Sequence, residues 1–301
     1  MPDSIPPADW ADATRVFNEH RNLLIGVAYR ILGRVSDAED VVQDAWLRWV
    51  NARPSEVADP RAFLVRVTSR LAIDQLRRVK TRHESYVGPW LPEPLLTDRD
   101  VTENAELAES ISIAMLIVLE TLSALERTVF VLREAFGMTY AEIAEILGRS
   151  EPAVRQLARR AREHVRERTP RFDTDQAARR RVTERFLVAT VNGNLDDLLA
   201  VLAPGVTLVG DGGGRARAPL RPIYGADKVA RFLVAMSSEP LPDAHLHIAQ
   251  VNGGPGILAA LEGKPVAAVI LDVAGGVIQT IHLVANPDKL IGIRAIEAET
   301  N

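Results

Sequence analysis

Apolar residues recur at helical spacing from the N-terminus to about Pro170 and at strand spacing after Gly205. Positions i, i+3, i+4 and i+7 form one face of an α-helix, whereas alternate positions form one face of a strand. The first pattern predicts helices over about 12–32, 37–50, 60–82 and 105–120, and a further helix that begins after Ser123. The chain is therefore predicted to begin with helices and to end with a sheet.

Three of these helix starts carry capping signals. Ser36 with Glu39, and Ser123 with Glu126, have the spacing of a capping box, in which the two side chains bond backbone N–H groups near the start of a helix. The pair Asp59-Pro60 places an N-cap residue before a proline, and proline at the first helical position loses no hydrogen bond. These signals predict where the helices begin.

The stretch from Thr139 to Arg168 is predicted to form two helices joined by a tight turn. Thr139 and Glu142 form another capping box, Gly148 supplies the stop, and Ser150 is the next N-cap. The second helix has one apolar face, made by Val154, Leu157, Ala158, Ala161 and Val165. Its other face carries Arg155, Gln156, Arg159, Arg160 and Arg162. A short helix, a glycine turn and a helix of this kind are typical of the helix-turn-helix, whose second helix enters the DNA major groove.

The basic face has two interpretations, a solvated arginine-rich helix or a DNA-binding surface. We favour DNA binding because the arginines lie opposite the apolar stripe and follow a turn of the right length. The guanidinium fork pairs with guanine O6 and N7 or holds phosphates, and Gln156 has the two-point geometry that reads adenine. We expect Gln156 and Arg160 to read bases and Arg162 to contact phosphates.

The third predicted helix becomes strongly basic at its end, with Arg77, Arg78, Lys80 and Arg82. Basic residues in a last turn are favourable to the helix dipole, which requires no ligand. The same side chains would also suit a surface that follows phosphates. This segment alone does not separate the two interpretations.

A proline-bearing linker is predicted over residues 84–104. The run VGPWLPEPLLTDRD holds three prolines and one glycine, which favour extended backbone over helix. A free linker gains nothing from large apolar residues, so we expect Trp90 and Leu91 to dock within the protein.

From residue 172 to the C-terminus the chain is predicted to form an α+β domain. Helical spacing persists over 174–202, and glycine turns then separate strand patterns over 206–218, 244–254, 256–263, 264–276 and 277–285, with one helix over 226–236. Residues 264–284 are predicted to be a hairpin that turns at Ala274-Gly275-Gly276. We expect a curved antiparallel sheet.

The composition excludes several kinds of functional site. The 301 residues carry a formal net charge of −4, so any basic surface must be local. There are no cysteines, which excludes disulfides and thiolate metal sites, and the six histidines lack metal-binding spacing. The N-terminal residues are unlike a signal peptide, and no apolar run has the length of a membrane span. We predict a cytoplasmic protein with no cofactor and no membrane contact.

The part of the chain before Pro170 resembles bacterial sigma factors of the extracytoplasmic-function (ECF) class. DAEDVVQDAWLRWV resembles the segment that grips the clamp helices of the polymerase β′ subunit, and FLVRVTSRLAIDQLRR resembles the segment that melts and reads the −10 element. The stretch SALERTVFVLREAFGMTYAEIAEILGRS, with the helix after it, resembles the −35 reader. The resemblance implies that core RNA polymerase, through its β′ clamp helices and β flap, and promoter DNA are the partners.

On that match the resemblance implies roles for individual residues. Asp40, Gln43 and Asp44 would bind polymerase, and the −10 element would be contacted by Arg70, Asp74, Arg77, Arg78 and Lys80. Many relatives carry asparagine where this chain has Arg70, which puts the base preference at the −10 element in doubt. The recognition helix has Pro152-Ala153 in place of the commoner Gly-Thr.

Three further motifs resemble those of one ECF subgroup, whose members carry a C-terminal SnoaL-like domain of the nuclear-transport-factor-2-like fold. They are WLPEP (Trp90, Leu91, Pro92, Glu93, Pro94), DGGGR (Asp211, Gly212, Gly213, Gly214, Arg215) and NPDKL (Asn286, Pro287, Asp288, Lys289, Leu290). The resemblance implies a region 2 domain over 1–83, the linker over 84–104, a region 4 helix-turn-helix domain over 105–171 and a SnoaL-like regulatory domain over 172–301. We expect WLPEP to pack against DGGGR and NPDKL.

The sequence therefore predicts a promoter-specificity subunit of RNA polymerase that is regulated in cis and catalyses nothing. One alternative is a helix-turn-helix regulator that binds DNA without polymerase. Another is a C-terminal domain that acts as an enzyme or a small-molecule sensor, because this fold often holds an apolar pocket. The candidate acid–base residues for that alternative are Asp211, Tyr224, His245, His247 and His282.

Overall fold

The computed structural model describes residues 7–83, 86–97, 112–168, 175–237 and 244–293. The chain divides into two compact units. The first unit contains residues 1–82 and 115–169, and the second contains residues 83–114 and 170–301. The linker segment thus groups with the C-terminal domain, although along the chain it lies between the two helical segments of the first unit.

The described part of the first unit is helical. Its α-helices are α1 (Pro7–Leu32), α2 (Val35–Asn51), α3 (Pro60–His83), α4 (Ile113–Glu120, which begins just before the unit), α5 (Ala124–Phe130), α6 (Tyr140–Leu147) and α7 (Glu151–Arg168). A short 3₁₀ helix, Pro54–Glu56, precedes α3, and a π-helical turn, Val131–Ala135, follows α5. The π turn interrupts the helix that we predicted to begin after Ser123. The part of the predicted 105–120 helix before residue 112 lies outside the described residues.

Most of the predicted helix starts in this unit are confirmed. Ser123 and Glu126 form a capping box at α5, and Thr139 and Glu142 form another at α6. The Asp59 carboxylate accepts a hydrogen bond from the Ala62 N–H at the start of α3 (3.0 Å). These predictions succeed because a cap depends on residues only a few positions apart.

The capping box predicted at Ser36 is wrong. Gly33 adopts φ = +73° after the end of α1, and α2 then begins at Val35, with Arg34 as its N-cap. Ser36 therefore lies inside the first turn of α2, where its hydroxyl is not at the capping position. No side-chain hydrogen bond caps this helix at Arg34.

The described C-terminal domain combines three helices with one six-stranded sheet. The helices are α8 (Gln176–Val191), α9 (Leu195–Val201) and α10 (Ala226–Ser237). The strands are β1 (Leu202–Asp211), β2 (Ile223–Tyr224), β3 (Ala244–Val251), β4 (Gly254–Leu261), β5 (Lys264–Ala274) and β6 (Val277–Val284), in the order β2-β1-β6-β5-β4-β3. The predicted succession of helices followed by an α+β domain is confirmed. The hairpin turn at Gly275-Gly276 is confirmed as well, since Ala274 pairs with Val277.

Three details of the C-terminal domain differ from the prediction. β1 and β6 pair in parallel, so the sheet is mixed and not purely antiparallel. β1 begins at Leu202 and ends at Asp211, and the residues after it form a turn, not the continued strand that we predicted. The predicted helical stretch over 174–202 is two helices, α8 and α9. Pairing between distant strands leaves no local pattern in the sequence, which is why the parallel pair was missed.

The two faces of the sheet are covered differently. On one face, Leu208, Leu271 and Ile281 join a core with Phe186 of α8 and Val229 of α10. Residues that alternate with these along the strands, among them Asp211, Ile270 and Val284, point to the opposite face and are also buried. The linker donates hydrogen bonds to the Asp211 side chain. Because Asp211 points to the second face, the linker packs against that face.

None of the helices in the described residues is long and apolar enough to cross a membrane. Within the same residues, no group of three or more His, Asp or Glu side chains is arranged to hold a metal ion.

Candidate regulatory and promoter-binding sites

Asp211 is the centre of a buried polar cluster in the C-terminal domain. It ends β1 and is 0% exposed. Its carboxylate accepts hydrogen bonds from the Tyr86 hydroxyl (2.6 Å), the Leu91 N–H (2.8 Å) and the Lys289 ammonium (2.6 Å). A buried carboxylate is stable only when it is paired and hydrogen-bonded, and these donors meet that requirement.

Lys289 brings the third motif to the same point. Its side chain is almost fully buried, and its ammonium also donates to the Leu91 carbonyl oxygen. The ammonium lies 4.0 Å from the centroid of the Trp90 ring and 5.1 Å from that of Tyr86, both within the range of a cation–π contact. One cation therefore contacts the linker through a backbone hydrogen bond and two aromatic rings, and it pairs with Asp211 of its own domain.

Asn286 completes the connection between the DGGGR and NPDKL motifs. Its side-chain amide donates to the Tyr86 hydroxyl oxygen (2.7 Å), and its own N–H donates to the Asp211 carbonyl oxygen (2.9 Å). Gly213 adopts φ = +58°, and a Cβ placed there would lie 2.4 Å from the Asn286 amide nitrogen. Only glycine allows this approach. Arg215 and Asp288 pair at the surface of the same cluster (2.7 Å).

The rest of the linker extends the sheet. Leu95 and Asn252 exchange hydrogen bonds, since the Leu95 N–H donates to the Asn252 side chain (3.0 Å) and the Asn252 N–H donates to the Leu95 carbonyl (2.8 Å). The Thr97 N–H donates to the Gln250 carbonyl (2.8 Å), and Leu96 forms an antiparallel bridge with Val251. The linker therefore covers the end of β3, which is an edge strand with open backbone groups.

The structure brings the three predicted motifs together, as we expected. Leu91, Pro92, Glu93, Pro94, Lys289 and Leu290 are buried, Trp90 is half-buried, and Pro287 is exposed. Sequence reasoning missed Tyr86 and Asn252. Tyr86 lies outside the WLPEP motif, and Asn252 carried only the signal of an Asn-Gly turn, so nothing local marked either as a linker contact.

The predicted polymerase-binding residues share one face of α2. Asp40, Gln43 and Asp44 are all exposed. Leu47 continues the same stripe one turn later and is 55% exposed. Sequence reasoning missed Leu47, although its spacing of three from Asp44 and seven from Asp40 would have placed it on this face.

The side chains predicted to contact the −10 element lie on α3 and are only partly available. Arg70 is exposed, yet its Nε donates to the Ile146 carbonyl oxygen of α6 (2.9 Å). Asp74 and Arg77 pair with each other (3.3 Å), and Arg78 is exposed. The position of the Lys80 side chain lies outside the described residues.

The recognition helix α7 presents all its predicted DNA-binding residues at exposed positions. Gln156 lies opposite the buried Val154 and Ala158, and Arg159 and Arg160 lie on either side of Gln156. Each of the four arginines lies near an acidic side chain, and Arg159 is 3.6 Å from Glu163 of its own helix. Arg155 pairs with Glu151, Arg160 lies 3.5 Å from Glu126, and Arg162 contacts Glu134 (2.8 Å) and the Tyr140 hydroxyl (2.9 Å).

The contact between Arg160 and Glu126 affects the charge state of Glu126. Burial acts to raise the pKa of Glu126, but hydrogen bonds from Ser123 and the nearby charge of Arg160 outweigh it, so that the pKa of Glu126 is lowered. Glu126 therefore stays ionised and draws Arg160 toward α5. The Arg160 side chain is still 50% exposed, and the expectation that it reads bases stays a prediction.

The candidate acid–base residues do not converge. Tyr224 lies on β2 and His245 and His247 on β3, which are the two opposite edges of the sheet. His282 is buried and its Nε2 lies 2.7 Å from the Asp272 carboxylate, while Asp211 is occupied by the linker and Lys289.

Comparison with known proteins agrees with this geometry. The family model for Sigma-70 region 2 matches residues 16–82, and that for Sigma-70, region 4 matches residues 114–165. The chain is 39% identical over 289 residues to the ECF RNA polymerase sigma factor SigJ of Mycobacterium tuberculosis (strain ATCC 25618 / H37Rv), covering 92% of each chain. It is 31% identical over 156 residues to the ferric citrate uptake sigma factor FecI of Escherichia coli (strain K12), with 50% of this chain covered and 86% of that protein.

A solved structure matches over nearly the same length. The crystal structure of the M. tuberculosis extracytoplasmic function sigma factor SigJ superimposes with a TM-score of 0.76 at 38% identity, covering 92% of this chain and 97% of that one. FecI matches half of this chain, whereas SigJ matches almost all of it, including the α+β domain. The chain therefore belongs to the ECF RNA polymerase sigma factor family, in the form that carries an additional α+β domain after its two helical domains.

Proposed function

We propose that the C-terminal domain regulates this sigma factor in cis by fastening the linker between its two promoter-reading segments. As a sigma factor, the chain works with core RNA polymerase and promoter DNA. The observation that carries the proposal is the buried ion pair between Asp211 and Lys289. Asp211 accepts a hydrogen bond from the Leu91 N–H, and Lys289 donates one to the Leu91 carbonyl oxygen. A surface contact formed by chance would not be almost fully desolvated.

The fastened linker limits how far the two helical domains can separate along the chain. The described linker segment runs from Tyr86 to Thr97. At ~3.3 Å per extended residue, this segment spans up to about 40 Å. The −10 and −35 elements are named for positions that differ by about 25 base pairs, or roughly 85 Å at ~3.4 Å per base pair. Holding the linker therefore fixes the end-to-end distance of this segment, so that the rest of the linker must supply the remaining reach.

We assign the partner surfaces as follows. The stripe of Asp40, Gln43, Asp44 and Leu47 on α2 binds the clamp helices of the polymerase β′ subunit, because an exposed apolar side chain beside acidic residues suits a protein partner. The basic end of α3 contacts the −10 element, and the outer face of α7 contacts the −35 element. Region 4 also binds the β flap of the polymerase. The exposure of Gln156 and Arg159 supports the assignment at α7.

The test is transcription in vitro with core polymerase on a promoter series in which the spacer between the two elements varies by single base pairs. Lys289→Met removes the cation that holds the linker and keeps an apolar stem of similar length. We expect this variant to transcribe a wider range of spacer lengths than the wild type.

Arg215→Ala is the matched control, since it breaks an exposed ion pair of the same cluster and leaves Asp211 and Lys289 in place. The control should keep the wild-type spacer profile. If Lys289→Met also keeps it, the C-terminal domain does not act through the linker and the proposal is wrong.

A further inference from the structure

Two arginines link the region 2 and region 4 helices of the first unit in opposite directions. Arg70 of α3 donates from Nε to the carbonyl oxygen of Ile146, in the last turn of α6 (2.9 Å). Arg127 of α5 donates from Nε to the carbonyl oxygen of Arg30, in the last turn of α1 (3.1 Å). Each segment therefore supplies a guanidinium to a helix end of the other.

The two acceptors are carbonyls that need such a donor. The last four carbonyls of an α-helix lack partners within the helix and form the negative end of its dipole. In α6, Ala144 and Glu145 accept backbone bonds from Arg149 and Gly148, and the Ile146 carbonyl receives the Arg70 guanidinium. A cation at this position satisfies both the hydrogen bond and the dipole.

The surrounding contacts make each link more than a single bond. Beside Arg70, Arg66 of α3 pairs with Glu145 of α6. Arg127 is 1% exposed and pairs with Glu120, and the Arg30 guanidinium lies 5.1 Å from the Phe136 ring centroid. Arg30 is 4% exposed, and this burial lowers the pKa of its guanidinium.

These contacts are incompatible with simultaneous promoter reading. A hydrogen bond holds its donor and acceptor within about 3.2 Å. The −10 and −35 elements lie roughly 85 Å apart along the duplex at ~3.4 Å per base pair. Region 2 and region 4 cannot each lie on its own element while Arg70 remains on α6 and Arg127 on α1.

We infer that Arg70, Arg127 and the Arg66–Glu145 pair form a latch that holds the first unit in a closed state which does not read promoters. The inference rests on the proposed assignment of −10 and −35 reading to the two segments. Arg70 then has two mutually exclusive partners, the α6 carbonyl in the closed state and promoter DNA in the open state. Opening the latch is a step that precedes promoter recognition.

The chain has no cysteine, so two introduced cysteines can be labelled without background. Ser55 precedes α3 and Glu167 lies near the end of α7; both are exposed and neither belongs to the latch or to the predicted DNA contacts. Spin labels at Ser55→Cys and Glu167→Cys in the full-length chain, without polymerase or DNA, report the distance between the two segments by pulsed electron paramagnetic resonance.

The decisive variants are Glu145→Arg, Arg70→Gln and the exchange Arg66→Glu with Glu145→Arg. All three change side chains that are at least partly exposed, so they avoid the buried Arg127. Loss of one of these partly exposed contacts should raise the open-to-closed ratio by up to about fivefold. Glu145→Arg and Arg70→Gln should each shift the distances to longer values, and the charge exchange should restore the short distance. Arg15→Gln is the control, because exposed Arg15 pairs with Asp12 and Glu19 of its own helix.

Unchanged distance distributions in both Glu145→Arg and Arg70→Gln would overturn the latch. That result would leave the linker proposal intact, since the spacer series with Lys289→Met is measured independently. Conversely, an unchanged spacer profile for Lys289→Met, together with longer label distances in Glu145→Arg, would contradict the linker proposal and support the latch.

Discussion

The ammonium of Lys289 lies 2.6 Å from the carboxylate of Asp211, although the two are far apart along the chain and both side chains are almost completely buried. Burying two charges costs several kcal/mol per ion, and their attraction offsets that cost only when the remaining hydrogen-bonding groups are also satisfied. Here Tyr86 and Leu91, both from the linker segment, donate the further hydrogen bonds that the Asp211 carboxylate needs. The ion pair and the docked linker therefore stabilise each other.

We predict that breaking this pair lowers stability strongly. Lys289→Met leaves a buried carboxylate without its cation, and such a loss costs about 3–5 kcal/mol. Equilibrium unfolding in urea, monitored by tryptophan fluorescence, measures the change. Arg215→Ala breaks only a solvent-exposed pair, so its cost should stay below about 1 kcal/mol. Equal costs for the two variants would show that burial of the Asp211 pair contributes nothing.

The glycine at position 213 offers a test of how closely DGGGR and NPDKL approach each other. Gly213→Ala places a Cβ 2.4 Å from the Asn286 amide, at φ = +58°. Gly263 has φ = +74° with nothing within 4 Å of an added Cβ, so Gly263→Ala carries the backbone strain without the clash. We expect Gly213→Ala, and not Gly263→Ala, to release the linker and to make it sensitive to limited proteolysis near Trp90. Equal protection in both variants would argue against the close contact.

Local chemistry explains which parts of the structure could be predicted from the sequence. The capping boxes at Ser123 and Thr139, and the stop at Gly148, depend on residues within a few positions, and the structure confirms them. The motifs around Asp211 and Lys289 were expected to meet because of the family resemblance, and not because of any pattern in the residues themselves.

The features that could not be predicted depend on distant parts of the chain. The parallel pairing of β1 with β6 and the contact of Tyr86 with Asp211 join residues that the chain brings together only after folding. Arg127 is a further case. An arginine in the middle of a short helix looks like a surface residue, but here it is buried against the end of α1.

The capping box at α5 should make stability depend on pH. The pKa of Glu126 is lowered in the folded chain, so its contribution is fully present above the ordinary glutamate range and is lost as the pH falls through the folded-state pKa. Glu126→Gln should therefore be less stable than the wild type at neutral pH, and the difference should shrink in acid. Unfolding free energies at several pH values test this, with Glu167→Gln, at an exposed position of α7, as the control. A difference that stays constant down to acid pH would contradict it.

Polymerase binding should depend on the exposed acidic face of α2. Replacing both Asp40 and Asp44 with lysine reverses the charge of this face without touching a buried residue, so association with core polymerase should be lost while the helical content is unchanged. Replacing Asp12 and Glu19 of α1 with lysine makes the same change in net charge at another exposed surface. Co-purification with core polymerase and circular dichroism give the two readouts. The surface assignment fails if the α2 variant folds and still binds core as the control does.

The last prediction concerns base reading by α7. Gln156, Arg159 and Arg160 are all exposed, but the Arg160 side chain is less exposed than that of Arg159 (50% against 74%) and lies 3.5 Å from Glu126 of α5. Gln156→Ala and Arg159→Ala should each cost about 1–3 kcal/mol at a matched −35 site and relax specificity there. Arg160→Ala should weaken binding less and leave the preferred sequence unchanged. Competition binding to a library of −35 sequences, at one fixed salt concentration because phosphate contacts vary with salt, separates the two outcomes. If Arg160→Ala changes the preferred sequence and Arg159→Ala does not, Arg160 leaves Glu126 on binding DNA, and the outer face assigned to α7 is wrong.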